Sequence, residues 1–249
     1  MERVITSASH PLVGYLKKMK EKKSLRYERR EVLVEGAKLV RELCSYAPVK
    51  LLILQEDATI DSAYENAQEQ IFVSENIIKK ISSVEQSDGV MALIAMPEPK
   101  PLLLGKPLLA LDRVSDPGNL GSLIRTAHAF SFGGLFLLEG CCDPYNDKAL
   151  RAARGATFRL PTQEISWSHL KAFVQEQGYL PAAADIAGEP IDAILGEKKT
   201  LLILGNEGDG LSVEAKELCR TVTIPMNEEA ESLNVAAAGA VIMYLLSRV

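Results

Sequence analysis

The sequence predicts an α/β protein in which a small α/β domain (residues 1–96) and a proline-rich connector (97–106) precede a larger domain (107–249) built on a parallel sheet. Three observations lead there. Short apolar segments alternate with stretches of helical periodicity along most of the chain. In the second half these segments, PLLALD, GLFLLEG, GYLPAAA, TLLILG and TVTIP, are nearly all apolar, the pattern of strands covered on both faces. Between them and the first half lies MPEPKPLLLGKP, with four of the chain's 12 prolines between Pro97 and Pro107, a density that favours an extended connector.

Before the connector, EVLVEG, KLLIL, IFV and GVMALIA read as strands, with helical patterns at 37–46 and 74–81. At 249 residues and 47% hydrophobic composition the chain can bury a substantial core. No stretch approaches the roughly 18 consecutive apolar residues of a membrane span. The N-terminus is polar and basic, unlike a signal peptide, so the expectation is a soluble, cytoplasmic protein with no membrane partner. Cys44, Cys141, Cys142 and Cys219 show neither CxxC nor His-paired spacing, which indicates no metal site and no disulfide framework. His10, His128 and His169 are scattered and read as ordinary side chains, and the lone Trp167 as packing.

The net charge of -5 conceals an asymmetry. Residues 1–50 hold 12 Lys or Arg against six Glu, net +6, and eight of those cations, Lys17, Lys18, Lys20, Lys22, Lys23, Arg26, Arg29 and Arg30, fall within 14 positions with Tyr15 and Tyr27 nearby. A basic cluster on an acidic chain marks a docking place for a polyanion, or else a solvated helix face. Charge alone does not choose between them.

Three segments of the second half put polar side chains at loop-to-helix junctions, where a ligand meets backbone amides. In DPGNLGSLIRTAHAF, Pro117-Gly118 forms a turn and Asn119 is expected to cap a helix whose buried stripe is Leu120, Leu123, Ile124, Ala127 and Phe130. Arg125 lies off that stripe and is expected to lean back over Gly121, either toward a phosphate or carboxylate or into a surface ion pair. The second segment, LLILGNEGDGLS, is an apolar strand ending in glycines at 205, 208 and 210 around Glu207. It matches neither the P-loop nor the dinucleotide fingerprint, and a plain tight turn is the alternative. In the third, IPMNEEAESLNVAAAGAV, Ser232 and Asn234 precede a small-residue helix, as site residues or as a simple N-cap.

In order and spacing, the segments 119–133, 204–212 and 224–238 resemble the three motifs of the SpoU (TrmH-like) branch of the SPOUT RNA methyltransferases, a likeness that covers 107–249. The first 96 residues, with ITSASHPLV, the basic helix and EVLVEGAKLV, are similar to the ribosomal-protein-like substrate-binding domain of that family. The resemblance implies a SPOUT domain with a C-terminal trefoil knot behind an RNA-binding domain. It implies S-adenosylmethionine as cofactor and a homodimer with the active site at the subunit interface. By motif position it assigns Leu204, Gly205, Ile224, Pro225, Met226 and Leu233 to the cofactor and Asn119, Arg125, Glu207, Ser232 and Asn234 to the catalytic positions, and the charge asymmetry of the first 50 residues agrees with giving the basic cluster to RNA. The implied reaction is 2′-O-methylation of a ribose in structured RNA, ribosomal RNA ahead of transfer RNA, without metal. A guanidinium, with a pKa above about 12, accepts protons unwillingly, so Arg125 is read as a positioner and the base is left open.

Two places depart from the family pattern. Ala236 stands where Ser is frequent, and RAARGA places Ala153 and Arg154 in a segment more often RxSxGA. Arg151, Arg154 and Arg159 either grip RNA or pair with acidic neighbours. The rival classes are a noncatalytic RNA-binding protein that keeps the fold and, more remotely, a dinucleotide oxidoreductase that lacks its fingerprint.

Overall fold

A computed structural model describes residues 3–59, 61–227, 229 and 231–248, so Glu228 and Ala230 of the third motif lie outside the described residues. Its contacts divide the chain into two compact units. One comprises Met1–Glu98 with Tyr145–Phe158, the other Pro99–Pro144 with Arg159–Val249. The excursion 145–158, which the sequence reading kept with the second domain, is thus grouped with the first.

The first unit is a mixed five-stranded sheet with helices on both faces. Its strands are β1 (Arg3–Ile5), β2 (Glu31–Glu35), β3 (Val49–Gln55), β4 (Glu69–Val73) and β5 (Val90–Ala95), in the order β1-β4-β3-β5-β2. Successive side chains of a strand point to opposite faces, and the core divides accordingly. Val32, Val34, Leu52, Leu54, Ala92 and Ile94 meet Leu39, Val40 and Leu43 of α3 (Ala37–Cys44). Leu150 of α6 (Asp147–Ala153) and Phe158 join that same layer, which is why the excursion belongs here. Leu33, Leu51, Ile53, Ile71, Met91 and Leu93 face the other way, onto α1 (Pro11–Glu21) and α4 (Glu75–Ile81).

Two cations of the basic cluster are spent inside this unit. Lys20 is almost fully buried, hydrogen-bonded to Glu35 and 3.4 Å from Asp147, while Ser82 and Ser87 donate to the other Glu35 oxygen at 2.6 and 2.7 Å. Burial lowers the Lys20 pKa and Glu35 opposes that shift. Arg26, on α2 (Lys23–Arg29), is 3% exposed and donates to the carbonyls of Met19 and Lys20, tying the α1–α2 corner. Neither side chain is presented at the surface, which corrects the assignment of the whole run to RNA. Lys17, Lys18, Lys22, Lys23, Arg29 and Arg30 remain exposed. The interleaved tyrosines also have structural partners: Tyr15 donates to Glu31 at 2.8 Å, and Lys23 lies over the Tyr27 ring. Arg151 pairs with Asp147, the structural alternative for that residue.

The second unit carries six parallel strands in the order β11-β9-β10-β6-β7-β8. They are β6 (Leu108–Leu111), β7 (Leu135–Leu137), β8 (Thr162–Glu164), β9 (Leu180–Pro190), β10 (Thr200–Leu204) and β11 (Arg220–Thr223). The parallel sheet expected from the apolar runs is present. One face carries α7 (Trp167–Gln177) and α8 (Val213–Leu218), with Leu170, Val174 and Ala215 against Leu108, Ala110, Leu201 and Ile203. α5 (Pro117–Ala129) packs on α9 (Val235–Leu246), which also lies on β10. Their contact is close because Gly239 has no side chain: a Cβ there would stand 2.5 Å from Leu123 Cδ2 and 2.7 Å from Leu204 Cδ1. Gly239→Ala is therefore expected to destabilise the protein by about 1–3 kcal/mol, as overpacked sites do, read as a lower urea midpoint at constant m.

Candidate active site

The loops at the carboxyl ends of β6, β10 and β11 converge, as ligand sites in parallel α/β sheets do. Those after β10 and β11, with residues 184–186 inside β9 and the start of α9, enclose a cleft of about 560 Å³. Leu204, Gly205, Ile224, Met226 and Leu233 line it, as do Glu207, Ser232 and Asn234. Pro225 does not line it and is exposed; the backbone between two inward neighbours turns it out. The walls also include residues that lie outside the three motif segments, among them Ala184, Asp185 and Ile186 of β9 and Lys216 on α8. Gly205 is buried under the loop it begins, and a Cβ there would lie 2.6 Å from the Gly210 carbonyl oxygen and 2.9 Å from the Leu211 nitrogen.

Glu207 is the junction of this site. Its Oε1 accepts from Asn119 Nδ2 at 3.0 Å and from the Asp116 N–H at 3.3 Å, and its Oε2 accepts from the N–H and hydroxyl of Ser115, both at 3.3 Å. Burial pushes this carboxyl upward, but the Asn119 amide and the backbone N–H groups outweigh it and hold its pKa below the usual value. A carboxylate so engaged is a poor proton acceptor and a strong tether. Its folded-state pKa is depressed, so its contribution to stability is complete above the unfolded value of about 4.3 and fades as pH falls through the lower folded value. Glu207→Gln is expected to flatten that acid limb in denaturation followed from pH 6 to pH 2.

Asn119 passes the tether on, since Asn234 Nδ2 donates to its Oδ1 at 3.1 Å. Asn234 also caps α9, its Oδ1 accepting from Ala236 N–H at 2.9 Å and Ala237 N–H at 3.3 Å, so the cap and site readings of that residue both apply. The cap of α5, in contrast, is Asp116, whose Oδ1 accepts from the Asn119 N–H at 2.9 Å. Pro117 at the first helical position fixes the cap at Asp116, three residues before Asn119, which corrects the expectation for Asn119 and frees its amide for Glu207 and Asn234. The buried stripe of α5 contains Gly121, while Phe130 is only half-buried at the helix end, against the Tyr244 ring.

Arg125 is not brought to this junction. It is exposed, makes no hydrogen bond or ion pair with the described residues, and does not line the cleft. Six residues at 3.6 per turn set it about 120° around α5 from Asn119, too far for the expected lean toward that loop. Ser232 lines the cleft with its side chain exposed. Cys142 near these loops is inert by its surroundings: burial, then Cys141, Asp116 and Glu207, push its pKa up to about 12.

The arrangement offers glycine backbone, apolar walls and a few fixed polar groups, the make-up of a small-molecule pocket. Comparison with known proteins agrees. The sequence pattern of the SpoU rRNA Methylase family matches residues 106–244, and that of the MRM3-like substrate binding domain matches residues 10–92. The chain is 34% identical to the 23S rRNA (guanosine(2553)-2'-O)-methyltransferase RlmP of Bacillus subtilis, over 97% of this chain and 98% of that one. Among solved structures it is similar to an AdoMet-bound rRNA methyltransferase from Sinorhizobium meliloti, with a TM-score of 0.87 and 28% identity over 99% and 97% of the two chains. It is also similar to the SpoU methyltransferase AviRb from Streptomyces viridochromogenes in complex with AdoMet, with a TM-score of 0.86 and 25% identity over 96% and 97%. The chain belongs to the SpoU rRNA Methylase family.

Proposed function

We propose that this chain is an S-adenosylmethionine-dependent methyltransferase acting on a ribose 2′-hydroxyl of structured RNA, with ribosomal RNA as its substrate in the cytoplasm. The observation that carries the reading is the tethered cleft: three loops distant in sequence are joined through Glu207, Asn119 and Asn234 around a pocket whose glycine wall leaves room for a ligand against backbone. When bound, S-adenosylmethionine supplies an electrophilic methyl group on a sulfonium. Leu204, Gly205, Ile224, Met226 and Leu233 would hold it, with Pro225 shaping the loop from outside.

The chain's own task is then alignment. Transfer from a sulfonium is an in-line displacement, so orienting the acceptor oxygen supplies much of the acceleration. Glu207, Asn119 and Asn234 fix the loops, and Ser232 presents a hydroxyl at the mouth. Arg125 binds the RNA phosphate beside the acceptor ribose. Since Arg125 lies off its own cleft and is exposed, it serves the cleft of a second copy. Dimerisation is supported by α9, which carries no charge along its length yet leaves Ala237, Val241 and Tyr244 exposed on one side, the spacing of a helix face that packs on a partner. The C-terminal trefoil knot belongs to this reading; its support is α9, which leaves the sheet edge at β11 and returns to lie on β10 and α5.

Residues 1–96 act as the RNA-binding domain, with 97–106 as linker, through the exposed cations Lys17, Lys18, Lys22, Lys23, Arg29 and Arg30. Replacing Lys17, Lys18, Lys22 and Lys23 together with Ala is expected to weaken RNA binding and reduce the slope of log K against log salt by roughly 3–4, with S-adenosylmethionine affinity unchanged. Filter binding from 50 to 300 mM salt measures it. The function itself is tested by transfer of labelled methyl to undermodified ribosomal RNA and transfer RNA in parallel. Labelling of ribosomal RNA supports the proposal, labelling of transfer RNA alone redirects the substrate, and binding of both cofactor and RNA without transfer favours the noncatalytic reading.

A further inference from the structure

The loop after β6 grips the cleft at a second place, through Asp112 and Arg113. Asp112 is completely buried at the end of β6. Its Oδ2 accepts from the Ser212 N–H at 2.8 Å, and its Oδ1 accepts from Arg113 Nε at 3.3 Å. Arg113 has φ +59°, the left-handed region that a side chain of its kind rarely adopts. That conformation turns two groups of one residue onto the 205–212 loop. The Arg113 carbonyl accepts from Asn206 Nδ2 at 2.8 Å, and its Nη2 donates to the Gly210 carbonyl at 3.3 Å.

The loop end that it holds is itself closed. Asn206 and Gly210 exchange backbone hydrogen bonds at 3.0 and 3.1 Å, and Asn206 Oδ1 accepts from the N–H groups of Gly208 and Asp209 at 2.8 and 3.0 Å. The Arg113 stem is seated from behind by Gly140, where a Cβ would stand 2.9 Å from Arg113 Cγ. A strained backbone persists where its surroundings over-determine it, and such strain gathers at ligand clamps. Here Asp112 and Gly140 hold the residue, and its carbonyl and guanidinium both bond to one wall of the cleft.

We propose that Arg113, anchored by Asp112, is a positioning residue that fixes the Gly205–Gly210 wall in the shape that receives the cofactor. The proposal rests on the reading of the cleft as the S-adenosylmethionine site. Its energetic content is preorganisation: a loop already held in its bound form loses less freedom when the ligand arrives. The effect therefore falls on cofactor binding rather than on the chemical step.

Arg113→Asn tests it, because Asn tolerates the left-handed backbone and keeps the carbonyl acceptor while removing the guanidinium. In ligand-free protein, amide hydrogen exchange across 206–212 is expected to quicken about tenfold, the mark of a locally loosened segment. The Kd for S-adenosylmethionine is expected to rise about tenfold, with kcat at saturating cofactor within about twofold of wild type. Arg113→Lys keeps a cation beside Asp112 without the planar fork, and is expected to loosen the loop as well. Unchanged exchange and unchanged Kd in Arg113→Asn overturn the proposal. So does full rescue by Arg113→Lys, which reduces the residue to a countercharge for Asp112. Failure of the cleft reading would be visible separately, in wild-type protein that binds no S-adenosylmethionine; the ligand-free exchange comparison still decides whether the clamp exists.

Discussion

Arg125→Ala is expected to lower methyl transfer by roughly 100- to 1000-fold, the loss that follows removal of a group that positions the acceptor, with S-adenosylmethionine affinity within about twofold of wild type. The unchanged affinity follows from geometry. Arg125 is exposed, unpaired with the described residues, and outside the cleft of its own chain. Its removal leaves the Glu207–Asn119–Asn234 tether intact, so the cofactor pocket keeps its shape. A single-turnover assay with saturating RNA, beside calorimetric cofactor titration, separates the two. Near-full transfer by Arg125→Ala would remove the residue from the mechanism.

Gly205→Ala is expected to do the reverse, weakening cofactor binding roughly 10- to 100-fold, since a methyl group forced into a packed site costs about 1–3 kcal/mol. The added Cβ meets main chain, 2.6 Å from the Gly210 oxygen, so no side-chain rotation relieves it and the loop must move. Calorimetry with S-adenosylmethionine reads the loss directly. The two variants also test the shared site. If Arg125 of one copy serves the cleft of the other, mixed Arg125→Ala and Gly205→Ala subunits form dimers with one intact site, and at S-adenosylmethionine concentrations too low to load the Gly205→Ala cleft the mixture regains activity that neither homodimer shows. No regain after subunit exchange would place Arg125 at its own cleft.

Much of this architecture is legible in the sequence because its strands are covered on both faces and so read as apolar runs. LLAL and TLLIL needed no arbitration. β1 and β8 were invisible for the opposite reason: each is three residues long, and β8 is the polar TQE at a sheet edge. β9 runs on through DIAGEP because β11 pairs with it across a register shift between Thr221 and Val222, a long-range match that no local pattern announces. The allegiance of α6 was hidden likewise, since Leu150 and Phe158 declare that they are buried but not in which core.

In the site, the sequence located the loops better than the atoms. Glu207 stood out as a carboxylate behind a buried strand, and Asp112 carries the same signal in LLALD but passed unnoticed. The Asp116 cap was readable from Pro117 beside it. The burial of Lys20 and Arg26 was not, because a run of cations looks alike whether its members face water or the Glu35 carboxylate. Nor does the motif around Arg125 say that a helix turn carries it away from its own cleft.

The most direct test of the central claim is the chemistry of the product. Ribosomal RNA from cells lacking this protein is incubated with the purified protein and S-adenosylmethionine; one portion is digested enzymatically to nucleosides for mass analysis, and another is hydrolysed with alkali and its surviving linkages mapped. The account predicts one added methyl on ribose, at a linkage that resists alkali because its 2′-hydroxyl is blocked, and loss of that product with Arg125→Ala. Methyl found on a base, or an alkali-labile linkage at the modified nucleotide, would contradict it.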